Sequence, residues 1–138
     1  MRFELVTLMG IKLDQDIYQA TIDTADGEIS VYPDHEPLVT IAVPGVISVR
    51  KHKDRDDEEF FAISGGVVEI SGTRIRVLVD EAEHGDDIVE AESQAALERA
   101  LRLRDEAQDQ IELEKAHQLI DRHQVRLRVA DLRRRKRR

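Results

Sequence analysis

All seven glycines and all three prolines of this 138-residue chain lie at or before Gly85, and neither residue occurs after it. These two residues make turns and end helices, so a chain that loses both at one point changes secondary-structure class there. The stretch before Gly85 has to be short elements joined by turns, whereas the stretch after it is free to run as long helices. Charge divides at the same place. Residues 1–85 hold 8 Lys and Arg against 17 Asp and Glu, a balance of -9, and residues 86–138 hold 13 against 12, a balance of +1. Two parts are therefore expected, 1–85 and 86–138.

The first part reads as strands. Phe3–Leu8, Ile17–Ile22, Leu38–Val43, Val46–Val49, Phe60–Ile63, Val67–Ile70 and Arg74–Val79 are short, apolar and rich in β-branched residues. Arg74 and Arg76 alternate with Ile75 and Val77, the period-2 pattern of a strand with one wet face. Ser71-Gly72-Thr73 is tight enough for a hairpin turn. Pro44-Gly45 suits the central positions of a type II turn between two of the strands. The charged segment Lys51–Glu59 reads as a solvated tip joining two strands, and such tips also discourage edge pairing with other chains. With no helix between them, strands of this length predict a small antiparallel sandwich or barrel. Apolar residues make up 41% but aromatics only 4%, without Trp, so the core is expected to be aliphatic.

The second part reads as an antiparallel helical hairpin. Ala, Glu, Leu, Arg and Gln dominate it, all good helix formers. Asp86 and Asp87 suit the N-cap and first turn of the first helix, where a carboxylate meets free N–H groups and the positive dipole end. A break is expected at Asp109–Glu112, where Asp can cap and Glu three residues later can reach back. Ala96, Ala100, Leu103 and Ala107 share one face of the first helix. Ala116, Ile120, His123, Leu127 and Ala130 share one face of the second. Two stripes of small residues let two helices approach closely.

Few residues suggest chemistry. The absence of cysteine excludes disulfides and thiolate zinc sites. Met1–Val6 contains no apolar run long enough for a secretory signal, and no window approaches about 20 apolar residues, so a soluble, cytoplasmic chain is expected. His35, beside Glu36, lacks a Ser, Cys or second His nearby and reads as structural rather than as a general base. His84 with Asp86 and Asp87 is better explained by capping than by a metal. His117 and His123 are six apart, off the i, i+4 spacing of a helical zinc pair. Gly65-Gly66 precedes a strand and lacks the Lys-Ser/Thr of a phosphate loop. No catalytic residue, metal or cofactor is expected. The basic run Arg133–Arg138 leaves open a nucleic-acid-binding or scaffold module, although the acidic first part and scarce aromatics argue against nucleic acid.

The run Tyr32-Pro33-Asp34-His35-Glu36-Pro37-Leu38 resembles the Pro-x-His-x-Pro-Leu segment of the epsilon subunit of rotary F-type ATP synthases. Phe3–Thr7 looks like that family's first strand. Gly27–Pro33 is similar to its Gly-Glu-x-Gly-x-x-Pro loop, with Ser30 replacing the second glycine, and Ser64–Ile70 to its Ser-Gly-Gly turn and strand. The motifs occur in order and the resemblance spans essentially the whole chain. It implies a non-catalytic rotor subunit of the proton-translocating synthase, peripheral on the cytoplasmic face of the plasma membrane. The first part would dock on the gamma subunit and the c-ring through Glu28, Pro33, His35, Pro37 and Leu38. The hairpin would restrain ATP hydrolysis in the alpha/beta head through Arg122, Arg126 and the tail residues Arg133, Arg134 and Arg135. Family members that bind ATP use an Ile/Leu-Asp-x-x-Arg-Ala motif. The matching stretch here, Ile88–Ser93, has Val89 and Glu92 at the key positions, so no ATP binding is expected.

Overall fold

A computed structural model describes residues 1–136; Arg137 and Arg138 of the basic run lie outside the described residues. Nine strands come first: β1 (Arg2–Thr7), β2 (Gly10–Asp16), β3 (Gln19–Thr24), β4 (Gly27–Val31), β5 (Leu38–Arg50), β6 (Glu59–Ile63), β7 (Gly66–Ser71), β8 (Arg74–Val79) and β9 (Ala82–His84). A 3-10 turn at Gly85–Asp87 leads into α1 (Glu90–Glu106) and α2 (Gln110–Lys136). The strands pair in the order β2-β1-β8-β7-β5-β3-β4, with β6 added on β5 and β9 on β6. The fold is the expected β-sandwich followed by an α-helical hairpin.

Alternation along each strand fills the interior. Phe3 and Leu5 of β1, Ile22 of β3, Ile47 and Val49 of β5, and Ile75 and Val77 of β8 form one fully buried cluster, mostly aliphatic as expected but with the rings of Phe3 and Phe61 inside it. The strand β6 is covered on both faces. Phe61 and Ile63 enter the sandwich, whereas Phe60 and Ala62 join Val46, Ile88, Val129 and Ala130 in a second cluster. That second cluster is how α2 docks, and it places the hairpin flat against β5 and β6.

Pro44-Gly45 does not make a turn. The strand β5 continues through it for 13 residues and changes partner there, from β7 (Ala42 opposite Gly66) to β6 (Gly45 opposite Ile63). Pro44 has no N–H to give a ladder, which suits a place where one partner ends and the next begins. Against β3 the register jumps from Ile22–Ile47 to Thr24–Ala42, leaving Asp23 opposite the bend. Asp23 Oδ2 accepts the Val46 N–H at 2.9 Å. A Cβ on Gly45 would lie 2.5 Å from that same oxygen, so the bend needs glycine for space.

The helices differ from expectation in two details. Asp86 and Asp87 occupy the 3-10 turn, and α1 begins three residues later with Val89 at its N-cap and no side-chain cap. His84 Nδ1 accepts the Asp86 N–H at 3.0 Å, so histidine caps the turn instead. Leu103 shares a groove with Ala96 and Ala100 of α1 and Leu119 and His123 of α2, as its spacing predicts, but stays half exposed there; α1 buries Ser93 and Ala100. The break before α2 forms as expected. Asp109 Oδ1 accepts the Glu112 N–H at 2.8 Å, and Glu112 Oε2 accepts the Gln108 N–H at 2.8 Å. Ala116, Ile120, His123 and Ala130 are buried along α2, with Leu127 half-buried beside them.

Candidate functional site

The proline-rich segment is held by its own contacts. Asp34 takes φ 68°, the left-handed conformation that Asp tolerates better than most residues. The Nδ1–H of His35 donates to the Glu36 carbonyl at 2.6 Å, which commits the ring to the loop and not to a substrate. Tyr32 packs edge-on against Tyr18, 5.8 Å between centroids, and the Arg50 guanidinium lies 5.3 Å from the Tyr18 ring centroid. Glu28 is exposed on β4, Pro33 and Pro37 are exposed in the loop, and Leu38 opens β5 partly exposed. Glu28 thus lies near the start of β4 and the proline loop leaves its other end, with His35 half-buried in the loop.

A second surface is apolar. Register places Ile41 of β5 beside Val67 of β7, Val67 beside Leu78 of β8, Leu78 beside Val6 of β1, and Val6 beside Ile11 of β2. Ile41 is 60% and Ile11 67% exposed; Val67 and Leu78 are more than a third exposed. The β1–β2 turn adds Leu8 and Met9, the latter 96% exposed. The adjoining row on the same face is polar: Glu4 accepts from Arg76 at 3.0 Å and lies 3.5 Å from Arg74. A continuous apolar row across five strands beside a polar one is the composition of a protein-binding face.

The hairpin closes a cleft of about 1060 Å³ against the sandwich, lined among others by Met9, Lys12, Pro44, Glu81, Arg122 and Arg126. The two arginines face the strands. Arg126 is mostly buried; its Nη2 donates to Glu83 Oε1 at 2.9 Å and its Nε lies 2.8 Å from Oε2. Arg122 lies 3.3 Å from Glu81. Their charges are thus met by carboxylates of the strand part. Among the described residues no group of three or more His, Cys, Asp or Glu is placed to hold a metal.

The basic run is not a bare tail over its described length. Arg133 donates to the Gly85 carbonyl, Arg134 binds Glu90 at 2.9 Å, and Arg135 lies 3.0 Å from Asp131. Lys136 reaches Asp56 and lies 3.8 Å from Glu58, both in the loop between β5 and β6. The charged Lys51–Glu59 connection is a strand-joining tip, as expected, and also a receptor for the end of α2. Inside that loop Asp57 accepts from His52 and from the Lys51 and His52 N–H groups, which hold its carboxyl below the usual range.

Comparison with known proteins gives a consistent picture. Residues 1–85 match the family model described as ATP synthase, Delta/Epsilon chain, beta-sandwich domain. The chain is 36% identical over 138 residues to the ATP synthase epsilon chain of Chloroflexus aggregans, covering 100% of this chain and 97% of the relative. It is 33% identical over 137 residues to the ATP synthase epsilon chain of Herpetosiphon aurantiacus, covering 97% and 96%. Its fold is similar to a chain of the Euglena gracilis mitochondrial ATP synthase OSCP/F1/c-ring structure, with a TM-score of 0.79 and 23% identity, covering 94% of this chain and 79% of that one. A chain of the Tetrahymena thermophila mitochondrial ATP synthase central stalk and c-ring gives a TM-score of 0.53 at 16% identity over 64% of this chain and 69% of that one.

Proposed function

The chain belongs to the ATP synthase delta/epsilon family, and on that premise we propose how its surfaces divide the work of a central-stalk subunit. It is a non-catalytic rotor component of the F-type synthase, bound to the shaft formed by the gamma subunit and to the c-ring. The strand part, 1–85, is the docking unit, and the hairpin, 86–138, is the regulatory unit that restrains ATP hydrolysis in the alpha/beta head. Membrane association is peripheral, at the cytoplasmic face; no helix among the described residues is long and apolar enough to cross a bilayer.

The observation that carries this reading is the in-register row Ile41–Val67–Leu78–Val6–Ile11. A large apolar face left open on a small chain favours a permanent partner, because covering it stabilises association by roughly 25 cal/mol per Å² before entropic costs. We assign it to the gamma-type shaft, and the exposed Glu28 with the proline loop residues Pro33, His35, Pro37 and Leu38 to the ring. Ile41→Asp with Leu78→Asp should cut co-purification with the gamma subunit at least about tenfold, the usual scale for charges forced into an apolar interface. Changing Glu28, His35 and Leu38 to Ala should weaken ring attachment and leave gamma binding intact. Native stoichiometry with normally coupled proton flow in both variants would sink the reading. Arg133–Lys136, the described part of the basic run, already meet the chain's own acceptors and give no support to a nucleic-acid module.

Direct sensing of ATP is not part of this function. A triphosphate entering the cleft would have to displace Glu81 and Glu83 from Arg122 and Arg126, and Val89 and Glu92, at the positions where nucleotide-binding relatives carry their motif, are not among the residues that line it. Calorimetry of the isolated protein should show no saturable heat with millimolar ATP. Saturable binding at that concentration would show that the two arginines exchange carboxylate for phosphate readily.

A further inference from the structure

We infer that Glu69 of β7 is the residue that selects the shaft partner by charge: its carboxylate receives a basic side chain, Arg or Lys, that the partner carries beside its own apolar stripe. The inference rests on the assignment of the apolar row to the shaft, and adds to it a charge and a direction.

Strand alternation puts Glu69 on the open face, two residues along β7 from Val67 of the apolar row. Register sets it between Val39 of β5 and Arg76 of β8, and that row continues to Glu4 of β1 and Asp14 of β2. The next row runs Arg74–Arg2–Asp16. Every other charged residue of these two rows is paired. Arg76 and Arg74 both turn to Glu4, at 3.0 and 3.5 Å, and Arg2 takes Asp14 at 2.8 Å and Asp16 at 3.4 Å. Glu69 is exposed and, among the described residues, has no hydrogen-bond or ion-pair partner.

Turning the arginines elsewhere does not change the balance. The two rows hold the carboxylates of Glu4, Asp14, Asp16 and Glu69 against the guanidiniums of Arg2, Arg74 and Arg76, so one negative charge is in excess in any arrangement. It resides on the acid with apolar neighbours. Val39, 71% exposed, lies across from Glu69, and Val67 lies along its strand. A partner that covers the apolar row therefore takes the water from this carboxylate too. An ionised carboxylate is costly to dehydrate alone, so an interface that closes over it has to supply a cation.

The position also orients the partner. An apolar row reads much the same from either end, whereas Glu69 lies on the second of the five strands, off the centre of the row. A partner with one basic residue at the matching offset docks in one direction only, and a partner with an acid there is refused.

Binding of the full chain to the gamma subunit tests this, and Glu69→Leu gives the sign. A carboxylate covered without a cation would be improved on by leucine, which extends the apolar row and tightens binding. A carboxylate outside the contact would leave binding unchanged. Paired as inferred, Glu69→Leu weakens gamma binding at least about tenfold, the scale for removing one partner of a dehydrated ion pair. Glu69→Lys should slow association as well, most at low salt where screening is weakest. Glu98→Leu, exposed on α1, changes charge and side chain identically and should bind as the parent does. Thermal melting checks the fold, and an exposed strand position accepts leucine. Tighter or unchanged binding by Glu69→Leu overturns the inference. If Ile41→Asp with Leu78→Asp loses gamma while Glu69→Leu keeps it, this inference fails alone; if both keep it, the shaft assignment fails with it.

Discussion

Gly66→Ala should destabilise the sandwich by more than about 3 kcal/mol, beyond the ordinary range for an added methyl group. Gly66 opens β7 at the point where β5, β7 and β8 meet, opposite Ala42 on one side and Val79 on the other. A Cβ there would lie 1.9 Å from the Leu78 carbonyl oxygen and 2.9 Å from the Val79 Cα. Both obstacles are backbone, so no rotamer change relieves them, and relief requires β7 to separate from β8. Separation would also break the apolar row at Val67 and Leu78. Urea unfolding followed by dichroism measures the effect. Gly72→Ala, whose Cβ would meet nothing within 4 Å, should stay within about 0.5 kcal/mol of the parent. Equal midpoints for the two variants would show that the strands give way more readily than their ladder suggests.

The second large effect concerns His123. Its ring is buried in the seam between α1 and α2, and its Nδ1 has no hydrogen-bond partner. Burial holds its pKa below the ordinary value, reinforced by Arg126 and Arg122 on its own helix and Arg99 on α1, with Glu83 of β9 opposing. The folded hairpin therefore keeps the ring neutral, while the unfolded one takes a proton near the usual value of about 6.5. Stability of the seam should be complete above that pH. It should fall as the medium acidifies, by at most about 1.4 kcal/mol per pH unit for a single proton. Helix melting from pH 8 to pH 5 should show the loss, and His123→Leu should flatten it. A slope unchanged in His123→Leu would assign it to the carboxylates of the ion pairs instead.

What could be read in the residues beforehand divides by the range of the interactions involved. The Gly85 boundary in composition, the capping pair Asp109–Glu112 and the buried face of α2 depend on neighbours within one turn, and local patterns carry them. Pro44-Gly45 looked like a turn because both residues favour one. Only the exchange of β7 for β6 and the carboxylate of Asp23 opposite it make the segment a bend. The strand β2 was missed because Ile11-Lys12-Leu13-Asp14 carries half its residues as charges and stays mostly exposed. The apolar row had a local sign, since Leu38-Val39-Thr40-Ile41-Ala42-Val43 is apolar on both faces and a half-wet strand would alternate. The partners of Arg122, Arg126 and Arg128 had none. Glu81, Glu83 and Asp23 look like any surface acid until the fold brings α2 over them.

The pairing of β1 with β8 has a consequence in time. Those two strands run parallel, and Arg76 meets Glu4 across 72 positions, so the first strand has no permanent neighbour on that side until nearly the whole strand region exists. Closing so long a loop is slow relative to winding a helix, and folding rates fall as contacts become more distant in sequence. During refolding α1 and α2 should therefore acquire helical signal early, before the strands register. They would then wait without a seat, since Val46, Phe60 and Ala62 face α2 only once β5 and β6 are paired. The rate-limiting event is expected to be the arrival of β1 beside β8, and conservative truncations in Phe3 or Val77 should slow refolding, whereas those in Ala100 or Ile120 should mainly hasten unfolding.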